Sequence, residues 1–101
     1  MEKIKLSIDT KKQALEVYLP YVSQGAVLID SSKNLNLNDC IDLTISFPEL
    51  RKEMACESKV VWLSAKDIHN NIKFGVQLCG EDGLIINQTL QNYLAGKLND
   101  E

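Results

Sequence analysis

The stretch Ile41-Asp42-Leu43-Thr44-Ile45-Ser46-Phe47-Pro48 alternates without a break. Ile41, Leu43, Ile45 and Phe47 form one row, and Asp42, Thr44 and Ser46 form the other. A period of two puts successive side chains on opposite faces of a strand, so one face of this segment is in a core. Pro48 ends it, because proline has no N–H to give to a ladder. Upstream, Met1 to Asp9 repeats the pattern, with Ile4, Leu6 and Ile8 opposed to Lys3, Lys5 and Ser7. Thr10 to Leu19 breaks the alternation and reads as a helical turn or an irregular segment, stopped at Pro20. Gly25 then opens a strand over Ala26 to Ile29, which runs out in the polar cluster Asp30-Ser31-Ser32-Lys33-Asn34. Downstream of Pro48, Glu49 to Glu53 reads as a hairpin connection. Strands follow over about Met54 to Ala65 and over Ile72 to Leu78, separated by a turn at Asn70-Asn71.

After Asp82-Gly83 the period changes. Ile86, Leu90, Tyr93 and Leu94 fall on one helical face, with Asp82 or Asn87 as the capping residue and Gly96 near the end. Short strands followed by one helix predict a mainly β fold, a small antiparallel barrel with a lid helix. At 101 residues the chain is expected to be one domain, 1–101, with the barrel over about 2–79 and the helix over about 84–98.

Composition narrows the function. The formal net charge is −3, and Arg51 is the only arginine, so no general field or arginine fork favours nucleic acid or anionic lipid. Cys40, Cys56 and Cys79 are odd in number and far apart in sequence, with no CxxC spacing, which predicts free thiols and no metal site. The absence of a signal-like apolar stretch, or of any run long enough to span a bilayer, predicts a cytoplasmic location. Enzyme signatures are missing. His69, the one histidine, sits in the polar turn Asp67-Ile68-His69-Asn70-Asn71 without a partner nucleophile. No Gly-rich loop leads into a helix. The expectation is therefore a non-enzyme with no cofactor.

Two features invite a binding function. Val60-Val61-Trp62-Leu63 is apolar on both faces, so Trp62 is either beneath the C-terminal helix or partly exposed as an interface anchor. Ser23-Gln24-Gly25, inside Pro20-Tyr21-Val22-Ser23-Gln24-Gly25-Ala26, is either a plain turn or a ligand loop.

The ordered set PYVSQGAVLI (20–29), LNLND (35–39), KVVW (59–62), FGVQL (74–78) and YLAGKL (93–98) resembles the PilZ-type proteins of bacterial type IV pilus assembly. The likeness runs from about Leu6 to Leu98. It implies a six-stranded antiparallel PilZ-type β-barrel with a C-terminal α-helix. Most PilZ domains bind cyclic di-GMP through RxxxR followed by D/NxSxxG. Laid on this chain, the second pattern covers 21–26: Ser23 matches, while Tyr21 stands for the Asp or Asn and Ala26 for the last Gly. No arginine occurs in residues 1–50 to supply RxxxR, and Lys11 and Lys12 lack the planar fork. Two missing charge-assisted clamps of about 1.5–3 kcal/mol each remove several powers of ten in affinity. The resemblance thus implies a degenerate ligand loop at Tyr21, Ser23 and Ala26. It also implies an adaptor that touches the pilus extension ATPase and a regulator with GGDEF and EAL domains. Trp62, Tyr18 and Tyr21 are then the expected partner-binding residues, and the inner face of the inner membrane, at the pilus base, is the expected place of action. Direct reception of cyclic di-GMP at a non-standard site around Ser23 is the alternative.

Overall fold

The computed structural model describes residues 1–31, 35–69 and 71–99. Residues 32–34 of the polar cluster after β3, and Asn70 of the expected Asn70-Asn71 turn, lie outside that set. The elements in order are β1 (Glu2–Ser7), α1 (Lys11–Val17), β2 (Tyr18–Leu19), β3 (Ala26–Ser31), β4 (Cys40–Phe47), β5 (Lys52–Leu63), β6 (Ile72–Leu78) and α2 (Gly80–Asn99). One sheet holds all six strands in the order β1-β4-β5-β6-β3-β2.

The fold is mainly β with a C-terminal helix, as the alternation demands. The expected all-antiparallel, closed barrel needs correction. β1 and β4 pair in parallel, and β1 and β2 are opposite edges with no ladder between them among the described residues. The reason is connectivity. α1 and the β2–β3 hairpin lie between β1 and β4 in the chain, and so long a crossover returns the chain to the end where β1 began. The remaining pairs are antiparallel, joined by short connections except for β3 and β6, which have β4 and β5 between them in the chain.

Local chemistry explains the other departures. Thr10 caps α1, its Oγ1 accepting from the Gln13 N–H at 3.1 Å, so the segment before Pro20 is a true helix. Tyr18 and Leu19 leave it as a short strand against Val27 and Ala26. The charged 49–53 connection contains a 3₁₀ turn, Pro48–Leu50, closed by Arg51 in the left-handed region at φ 53°. α2 starts at Gly80, earlier than the expected 84. Asp82 lies in its first turn, where a carboxylate complements the helix dipole. Asn87 is two turns inside the helix and caps nothing.

The core lies between one face of the sheet and α2. Ile41, Leu43, Ile45 and Phe47 are buried, as are Val27, Ile29, Phe74, Val76 and Leu78. Ile86, Leu90, Tyr93 and Leu94 cover them from α2, the four residues expected from the helical period.

One irregularity redirects a side chain. Val60 pairs with Val76, but Trp62 pairs with Gly75, so Val61 is an extra residue at a β-bulge. Simple alternation would keep Val60 and Trp62 on one face. The bulge turns Trp62 to the outer face and restores Leu63 to the inner one, opposite Phe74.

Candidate functional site

The loop between β2 and β3 is built from consecutive left-handed residues, Gln24 at φ 64° and Gly25 at φ 79°. Such a backbone is costly for glutamine, and its side chain offsets the cost. Gln24 Nε2 donates to the carbonyls of Leu78 and Gly80, each at 3.2 Å, tying the loop to the β6–α2 junction. Gln77 Nε2 donates to the Ser23 carbonyl at 2.8 Å, and the Leu78 N–H donates to the Gly25 carbonyl at 3.0 Å. The Gly25 N–H closes the turn on the Val22 carbonyl at 2.7 Å. A Cβ on Gly25 would overlap the Asn87 carboxamide, which in turn accepts a hydrogen bond from the Tyr18 hydroxyl. Within this loop the exposed Ser23 hydroxyl makes no hydrogen bond to another described residue. The loop is therefore a clasp that holds sheet and helix together.

Asn87 was not visible as part of this arrangement in the sequence, because it lies 69 positions from Tyr18. Ala26 is fully buried in the ladder beside Leu19. Arg51 is at the other end of β5. The register sets Lys52 against Phe47 and Lys59 against Gln77, which itself faces Ala26. That separation is ~23 Å along the strand.

The three aromatic residues do not share one environment. Tyr18 faces α2 through its hydroxyl and packs on the core. Tyr21 is 81% exposed on the turn after Leu19, and Trp62 is 47% exposed on the outer face of the sheet. Gly75 makes the Trp62 position possible: a Cβ there would lie 3.1 Å from Trp62 Cβ and 3.5 Å from Leu19 Cδ1. Leu28, on the other side of Gly75 in the ladder, continues the row. The outer face thus carries an apolar strip of Trp62, Leu28 and Leu19, floored by Gly75.

A groove of about 510 Å³ opens at the far end, between α1, the 3₁₀ turn and α2. Tyr93 forms its wall, donating a hydrogen bond to Glu49 Oε1, with Lys11 Nζ 5.6 Å from the ring centroid. Burial and then the Glu49 hydrogen bond push the Tyr93 phenol up to about 12 from an ordinary 10. The neutral phenol is thus the form that the fold favours. Its contribution is complete below pH 10 and is lost as pH rises from about 10 to about 12. Thermal melts across that range should fall more steeply for the wild type than for Tyr93→Phe; parallel curves would remove Tyr93 as the cause.

The remaining candidates are isolated. Cys40 is exposed, Cys56 buried and Cys79 half-buried, all as free thiols. His69 lies in the β5–β6 turn, where its backbone N–H and that of Asn71 donate to Asp67 Oδ1. Among the described residues no cluster of three metal-ligating side chains occurs, and no helix is long and apolar enough to cross a membrane.

This open sheet with its clasped loop and C-terminal helix has a family. The model of the PilZ domain matches residues 2–96, and the chain belongs to that family. PilZ domains generally bind cyclic di-GMP or act as adaptors, and they are typically non-catalytic. No curated protein matches the chain.

Proposed function

We propose that this chain is a non-catalytic PilZ adaptor of type IV pilus assembly and twitching motility, one that does not bind cyclic di-GMP by itself. It docks the pilus extension ATPase through the outer strip around Trp62, with Tyr21 as a neighbouring contact. It also meets a GGDEF/EAL-domain regulator, so the second-messenger signal arrives through that partner. It works in the cytoplasm, recruited to the inner membrane at the pilus base.

The observation that carries this reading is the clasp. The Gln24 amide, the Ser23 and Gly25 carbonyls and the Gly25 N–H are engaged within the fold, by Leu78, Gly80, Gln77 and Val22. The only arginine is ~23 Å away along β5. The free Ser23 hydroxyl favours a second reading, direct reception at a non-standard site, and calorimetry separates the two. Titration with cyclic di-GMP should give no binding heat at micromolar concentrations, whereas a micromolar Kd would overturn the adaptor reading of the loop.

The docking strip has its own test. Trp62→Ala should cost about 0.5–1 kcal/mol, the scale of a half-exposed side chain, and shift Tm by only a few degrees. It should nevertheless abolish co-purification with the extension ATPase. A loss of several kcal/mol would make Trp62 part of the fold and remove it as the docking residue.

A further inference from the structure

The sheet is open, and β1 is its long edge. Glu2–Ser7 pairs with β4 on one side, and among the described residues no strand pairs with the other. The Ile8 N–H donates to the Ser46 carbonyl at 2.8 Å, which sets the alternation along β1. The backbone groups of Ile4 and Leu6 point at β4, and those of Lys3, Lys5 and Ser7 point away.

At one end of that free side a side chain already acts as a neighbouring strand. Gln13 Nε2 donates to the Ser7 carbonyl at 2.7 Å, and its Oε1 accepts from the Asp9 N–H at 3.0 Å. Donating to one residue and accepting from the residue two further on is the bonding pattern of a parallel β partner. Gln13 therefore ends the docking line at Ser7. It leaves the outward N–H and C=O groups of Lys3 and Lys5, with Ile4 and Leu6 only half-buried on the inner face.

We propose that the free edge of β1 accepts an extended segment of a partner protein as a seventh strand, and that this segment alternates apolar and acidic side chains. Its apolar residues complete the cover of Ile4 and Leu6. Its acidic residues lie beside Lys3 and Lys5, which are exposed on the outer face, and at Lys5 they share the ammonium with Glu53, whose Oε2 is 3.2 Å away in an exposed ion pair. A second copy of this chain fits poorly. Antiparallel pairing of two β1 edges about Ile4 puts Lys3 of each against Lys5 of the other, and like charges directly opposed are destabilising. This edge is separate from the Trp62 strip, which lies on β5, β6, β3 and β2.

The test uses the full chain and a synthetic eight-residue peptide of alternating valine and glutamate, with a valine–lysine peptide as its counterpart. Hydrogen exchange should show the Lys3 and Lys5 amides gaining protection on addition of the glutamate peptide. Lys5→Pro removes one outward N–H and the Lys5 ammonium with its exposed pair to Glu53, but no bond to β4, a change an edge strand tolerates. It should weaken peptide binding at least about tenfold, the worth of the hydrogen bond alone. Exchange on the wild-type chain decides the matter if that variant fails to fold. No protection at Lys3 and Lys5, equal binding of the lysine peptide, or unchanged affinity in a folded Lys5→Pro would each overturn the proposal. So would a dimer that protects the same amides without peptide. None of these outcomes bears on the Trp62 result.

Discussion

Gly25→Ala is expected to lower the stability of the chain by about 2–3 kcal/mol, though the change adds one methyl group. Gly25 sits at φ 79°, where a residue with a Cβ is strained by about 1–2 kcal/mol. The new Cβ also overlaps the Asn87 carboxamide, so Asn87 must move and release the Tyr18 hydroxyl. That lost hydrogen bond adds about 1 kcal/mol. Urea unfolding measures the total, and a second background separates its parts. In Asn87→Ala the same substitution should cost only the backbone share, about 1–2 kcal/mol. Equal losses in the two backgrounds would show that Asn87 is not held by the loop. The clasp is also what distinguishes this loop from a ligand cradle, so the measurement bears on function as well as on fold.

Phe47→Ala should be the more damaging change, at about 3–5 kcal/mol. Phe47 is fully buried at the end of β4 and meets Tyr93 edge to face, with ring centroids 6.1 Å apart and planes at 78°. Truncation leaves a cavity between the sheet and α2 at the base of the groove. A domain of this size has only about 5–15 kcal/mol in total, so the variant should lose a large share of its urea midpoint. Opening the site also admits water to the Tyr93 ring. The extra pH sensitivity between about 10 and about 12 should therefore diminish in the same variant. A loss below about 1 kcal/mol would mean that the site collapses around the smaller side chain and that Phe47 is not a fixed part of the core.

The inward rows were legible in the sequence because each depends only on a short period. Ile41, Leu43, Ile45 and Phe47 are buried together, as are Ile86, Leu90, Tyr93 and Leu94. Pairing was less legible. Nothing within Glu2–Ser7 specifies that its neighbour is β4 or that the two run parallel, since that choice depends on the path through α1 and the β2–β3 hairpin. α2 starts earlier than its apolar period indicates for a related reason. Glycine is a poor helix former, yet Gly80 and Gly83 fall in the first turn because β6 ends directly before them.

Sequence by itself determined the class of fold, the buried rows, the family likeness and the want of arginine near the loop, all properties of residue type and local period. Tertiary structure alone decided how those residues meet. Asn87 became the partner of Tyr18 and the neighbour of Gly25 only when α2 crossed the sheet. Val60, Val61, Trp62 and Leu63 are all apolar, so composition could not assign their faces. The bulge at Val61 did so, turning Trp62 outward over Gly75, where no side chain occupies the space its ring needs.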